Sequence, residues 1–78
     1  MFLYPTINVQ ETGKNIRKLC IEKDLSVTDV QNALHIGSNQ AIYHWFNGRS
    51  LPSIDSFYAL SHLLDTSIDQ IIVESKAS

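Results

Sequence analysis

The chain has 78 residues, one cysteine and a formal charge of −2, from 6 Lys and Arg against 8 Asp and Glu. A chain of that length is one domain that buries only about 60% of its unfolded surface, and an apolar content of 44% excludes a disordered polymer. The lone Cys20 excludes an intrachain disulfide and fits a reducing cytoplasm, and Met1-Phe2-Leu3-Tyr4-Pro5 lacks the basic start and long apolar run of a secretion signal; no stretch spans a membrane.

Residues 1–10 show no helical period. Pro5 and the β-branched Thr6, Ile7 and Val9 predict an extended arm, with Phe2-Leu3-Tyr4 packing back on its own domain. The helical domain then runs over 11–73. In its first helix, 11–23, Ile16, Leu19, Cys20 and Lys23 keep three- and four-residue spacing, and Leu25 closes beneath. Lys14, Arg17 and Lys18 fall off that stripe, and Cys20 reads as a small core hydrophobe. Ser26-x-x-Asp29 is a capping-box pattern that opens a second helix over 26–34, with Val30, Ala33 and Leu34 inward. Gly37 breaks that pattern, and Ser38 is placed to cap a third helix over 38–47, about three turns long. Its apolar stripe is Ala41, Ile42, Trp45 and Phe46, and Asn47-Gly48 stops it. Arg49-Ser50-Leu51-Pro52 is a loop. Ser53 caps a fourth helix over 53–64 with Ile54, Phe57, Leu60, Leu63 and Leu64 inward, Tyr58 flanking and Asp55 in the first turn. After Asp65-Thr66, Ser67-x-x-Gln70 opens a short fifth helix with Ile68, Ile71 and Ile72 inward, and 74–78 form a polar tail. No strand is required, so the predicted fold is a compact all-α bundle of five helices.

The residues off the stripe of the third helix are Asn39, Gln40, Tyr43, His44 and Asn47. These are neutral hydrogen-bonding groups where a solvated face would carry Lys and Glu. Such groups at the start of a helix suit base edges in a major groove. The overall acidity argues mildly against nucleic acid. However, residues 1–50 hold five cations against four acids, net +1, and residues 51–78 hold Lys76 against four acids, net −3. The base-reading candidate therefore lies in the more basic part.

Other chemistry is poorly supported. His35, His44 and His62 with Cys20 lack the spacing of any zinc motif. Asp65 and Asp69 have no nucleophile or Gly-rich loop beside them, and Phe57 with Tyr58 reads as core more than as a ligand cage. The expectation is a protein without enzymatic activity, metal, cofactor or small-molecule ligand.

Five short helices with tight connections, the second and third separated by a few residues around Gly37, are the helix-turn-helix arrangement. The ordered set Gly13…Ile16-Arg17…Leu19, Leu25-Ser26…Val30, Gln40-Ala41-Ile42…Trp45…Gly48, Leu51-Pro52-Ser53 and Ala59-Leu60…Leu63-Leu64…Ile68-Asp69…Ile71 resembles the Cro and phage-repressor type, also called the xenobiotic-response-element family. The resemblance covers residues 12–73. It implies a lambda-repressor-like DNA-binding domain and a bacterial, cytoplasmic, sequence-specific regulator of transcription, a repressor, acting on double-stranded DNA. By position it implies that Asn39, Gln40, Tyr43 and His44 read bases. Ser26, Thr28 and Gln31 would approach the backbone, Lys14, Arg17, Asn47 and Arg49 would contact phosphates, and Trp45 would pack. It also implies a homodimer on an inverted-repeat operator. The apolar arm Phe2-Leu3-Tyr4 and the fifth helix with Ile71, Ile72 and Val73 are the candidate dimer surfaces. Three departures stand out: Gln31 replaces a small residue, the turn through His35-Ile36-Gly37-Ser38-Asn39 is one residue longer than usual, and Phe46 replaces a commonly charged residue. The acidic balance and the absence of Lys or Arg on the third helix leave a second reading open. That reading is a protein-interaction module, antitoxin-like or anti-repressor-like, on the same fold without DNA binding.

Overall fold

Helices in this chain begin where a short polar side chain can accept an otherwise unpaired backbone N–H. In the computed structural model, which describes residues 2–75, Asn8 caps α1 (Val9–Glu22), its Oδ1 accepting from the Glu11 N–H at 2.9 Å. Ser26 caps α2 (Val27–Ala33) in a reciprocal box: the Asp29 N–H donates to Ser26 Oγ at 3.1 Å, and the Ser26 N–H donates to Asp29 Oδ2 at 2.9 Å. Ser53 and Ser67 cap α4 (Ile54–Leu63) and α5 (Ile68–Ile71). Only α3 (Gln40–Phe46) starts without a side-chain cap, from Asn39. The five helices and their order are those the sequence predicts, and the described residues contain no strand beyond an isolated antiparallel bridge between Ile7 and Glu74.

Four of the helices end alike. Asp24, His35, Gly48 and Asp65 take φ of 58°, 55°, 72° and 53°. Around each, two N–H groups fold back onto the last turn; after α2, for example, His35 donates to the Asn32 carbonyl and Ile36 to that of Gln31. This is the Schellman closure, which satisfies carbonyls that the helix leaves open.

Several boundaries differ from the sequence expectation. The first helix starts at Val9, not at 11, because Asn8 supplies a cap that outweighs the β-branched character of Val9. The third starts at Gln40, not at Ser38, and its 7 residues make about two turns, not three. The second helix stops because His35 turns left-handed; Gly37 keeps an ordinary φ and faces open space. In the fifth helix Ser67 caps as expected, but the Gln70 side chain does not return to it; its Oε1 accepts from the Thr66 hydroxyl instead. Of the tail, residues 76–78 lie outside the described residues.

The core is Ile16, Cys20, Val30, Ile42, Trp45, Phe57, Leu60, Leu64 and Ile71. Ile54, expected inside, is 80% exposed, because it sits at the very start of α4 where no neighbour covers it. Ala33 and Lys23 are also exposed at helix ends. The arm does not pack back: Phe2, Leu3 and Tyr4 are 80, 73 and 85% exposed. Ile71 is fully buried and Ile72 and Val73 are half-buried, so α5 completes the monomer core.

α1 is the element on which α3 and α5 are set. Gly13 lets α3 come so close that a Cβ there would fall on the carbonyl oxygen of Trp45. Its next flank holds α5. The Val73 N–H donates to Thr12 Oγ1 at 2.9 Å, and Asn15 Nδ2 donates to the carbonyls of Gln70 and Ile71 at 2.8 and 2.9 Å. Thr12 is fully buried with these partners, so an otherwise costly hydroxyl is satisfied.

Candidate nucleic-acid interface

The fixing of α3 determines what its other side can do. Ile42 and Trp45, 0 and 5% exposed, point into the core and leave the helix one outward orientation. Gln40, Tyr43, His44 and Asn47 are exposed on it, with Asn39 exposed at its head. At the C-terminal end Gly48 comes against Gln10; a Cβ there would sit 2.8 Å from the Gln10 Cα. This contact sets the start of α1 beside the end of α3 and brings their side chains to one surface.

Two adjoining depressions follow that line. One is bordered by Gln10, Lys14, Arg17, Lys18, Phe46 and Asn47. The other is bordered by Arg17, Val27, Tyr43, Phe46 and Asn47. Tyr43 stands on Phe46 edge to face, with ring centroids 6.5 Å apart at 90°, the arrangement aromatic quadrupoles favour. Three cations of α1 therefore border the outward side of α3. Lys14 Nζ lies 3.2 Å from Glu11 Oε2, but this pair is exposed and contributes little.

Of the backbone-contact candidates, the structure gathers Lys14, Arg17 and Asn47 around these depressions, together with Tyr43 from the base-reading set. Asn39, Gln40 and His44 are exposed on or at the head of the same helix. Arg49 is exposed just past Gly48, its N–H closing onto the His44 carbonyl. On α2, Thr28 is exposed and Gln31 half-buried. Ser26 is exposed, but its N–H and one lone pair of its hydroxyl are committed to Asp29. That bonding holds the Asp29 carboxyl below the usual carboxylate range, through the Ser26 backbone N–H first and its hydroxyl second. Sequence reasoning passed over Gln10, Lys18, Val27 and Phe46 as parts of this surface. Gln10 was hidden by the misplaced start of α1, and Lys18 had already been visible off the apolar stripe.

Nothing else in the described residues competes as a reactive site. Burial pushes the Cys20 thiol up, away from the thiolate that nucleophilic chemistry needs. No three His, Cys, Asp or Glu side chains gather there as metal ligands would. No helix of the described residues is long and apolar enough to cross a membrane.

The model of a family described as helix-turn-helix matches residues 16–71. No curated protein matches the chain. Among solved structures, the restriction-modification controller protein C.AhdI from Aeromonas hydrophila superposes with a TM-score of 0.72 at 17% identity, over 81% of this chain and 94% of that one. The clp gene regulator ClgR from Corynebacterium glutamicum superposes with a TM-score of 0.74, also at 17% identity, over 83% of this chain and 68% of that one. At such identity the likeness is one of fold.

Proposed function

The chain belongs to the helix-turn-helix family, of the Cro and phage-repressor type, and from that premise we propose that it binds double-stranded DNA as a sequence-specific regulator of transcription, with α3 in the major groove. The observation that carries this reading is the outward face of α3: neutral hydrogen-bonding side chains, bordered by Lys14, Arg17 and Lys18 of α1. Phosphate contacts position such a domain and base contacts specify its site. Asn39, Gln40, Tyr43 and His44 take the second task. Lys14, Arg17, Asn47 and Arg49 take the first, with Thr28 and Gln31 of α2. Ser26 is exposed beside them at the cap of α2.

The regulator acts in the cytoplasm, as a repressor, by occupying its site. It works as a homodimer on an inverted repeat, because one unit with six Lys and Arg has few phosphate contacts to give and pairing doubles them. That the two structures of like fold are named as a controller protein and a gene regulator supports the regulatory role. Selection of bound sequences from random duplex DNA tests the proposal. A recurring half-site is expected, with affinity that falls steeply as salt rises. Failure to enrich any sequence, with no salt-dependent binding, would leave the fold serving a protein partner instead.

A further inference from the structure

From the depression between α1, α2 and α3 we infer the chemical class of the operator: its half-site is A·T-rich, and thymine 5-methyl groups seat against an apolar patch made by Val27, Tyr43 and Phe46. This rests on the DNA-binding reading and goes one step further, to what is read.

The patch is unusual for its place. Val27 and Phe46 pack against the core from which the patch emerges, and Arg17 and Asn47 line the same depression, so the apolar surface opens among polar and cationic side chains. Tyr43 is 47% exposed, while Val27 and Phe46 are half-buried. The Tyr43 and Phe46 rings stand perpendicular, forming an apolar wall one turn along α3 from Gln40. In the major groove the one apolar feature that distinguishes a base is the thymine methyl. A protein surface that offers both hydrogen-bonding amides and an apolar wall therefore matches A·T pairs. Asn39 and Gln40 carry the donor and acceptor pair that adenine N6 and N7 require. α3 itself holds no Lys or Arg, the side chains that pair with guanine O6 and N7. The flanking cations give the charge complementarity that brings the DNA backbone to this face. Arg17, at the groove wall, belongs to that backbone set.

The test uses the whole chain and the half-site enriched from random duplexes. Each thymine is then replaced in turn by deoxyuridine, which removes only the 5-methyl group. At one or two positions this should weaken binding about threefold to fourfold, the effect of exposing one methylene-sized group. In Tyr43→Ala the thymine-to-uracil ratio at those positions should fall to one, while the salt slope stays the same. Val27→Ala is the second variant; it leaves the Tyr43–Phe46 pair in place and should reduce the ratio without abolishing it. A protein that enriches a half-site centred on G·C pairs, or that binds thymine and uracil duplexes alike at every position, overturns the inference while leaving DNA binding intact. A protein that enriches nothing overturns the DNA-binding reading itself.

Discussion

Gly13 and Trp45 meet where α1 and α3 leave no room for a side chain. The space over Gly13 is filled by backbone, a carbonyl oxygen 1.9 Å from where a Cβ would stand, so no side chain can move aside. Gly13→Ala must push α3 off α1, and we expect a loss of about 2 kcal/mol or more, at the upper end for an inserted methyl, read as a lower urea midpoint. Trp45→Ala removes the largest buried side chain of α3 and should cost about 3–5 kcal/mol, enough to lower the helical circular dichroism of so small a domain. Outside the core the expected effects separate by role. Gln40→Ala should relax preference at one base position, at a cost of about 1–3 kcal/mol on the cognate site. Arg17→Ala should weaken all duplexes alike and flatten the salt slope. An unchanged preferred sequence in Gln40→Ala would mean that α3 lies in the groove by another face.

At the scale of helices, the starts capped by serine and the stops at Asp24, Gly48 and Asp65 were readable in the sequence, while the starts after Asn8 and Asn39 and the stop at His35 were not. Ser26, Ser53 and Ser67 announce their helices because a hydroxyl three residues ahead of a free N–H is a local pattern. The endings depend on left-handed residues, and His35 is one that no local signal reserves for that conformation. The glycine that looked like the break, Gly37, is not used as one. The cost of a left-handed Cβ, roughly 1–2 kcal/mol, is therefore borne at His35, and His35→Gly should raise stability by about 1 kcal/mol in urea unfolding while keeping the α2–α3 turn. Gly48→Ala should do the reverse, since it meets both the strained φ and Gln10. The capping box of α2 adds a dependence on acidity. The Asp29 carboxyl is held below its ordinary value in the fold, so its contribution is complete above the unfolded value of about 4 and is lost as pH falls through the lower, folded one. Amide protection at the head of α2, relative to the intrinsic exchange rate, should fall below about pH 4, and Asp29→Asn should remove that pH response.

Over the whole molecule, the apolar spacing of Ile16, Cys20, Val30, Ile42, Trp45, Phe57, Leu60, Leu64 and Ile71 was enough to give the core, because periodicity reports burial directly. The surface around α3 was legible only in part. Its polar members sit on one helix, but the apolar wall is assembled from α2 and α3 and bordered by α1, and spacing along one chain segment does not show such a convergence. The arm was misread for a related reason. The arm was expected to fold back, yet Phe2, Leu3 and Tyr4 remain exposed, and the apolar end of α5 is spent on the core. Of the two candidate dimer surfaces, the arm alone keeps a large uncovered apolar area. Sedimentation of the free protein and of its complex with the selected duplex should show two chains per duplex, and removal of residues 2–4 should weaken that pairing; a one-to-one complex on a non-palindromic site would rule the dimer out.

The meeting of the two ends has a consequence of its own. The Asn8 N–H donates to the Val73 carbonyl and the Ser75 N–H to that of Thr6, both at 2.8 Å, so the described chain starts and finishes at one spot. Topologically it is a ring with a single cut, and the position of the cut is incidental to the packing. A circular permutant that joins residue 75 to residue 2 through a short linker, and opens instead at the exposed Arg49-Ser50 step between α3 and α4, should fold to the same helices and keep its reading face whole.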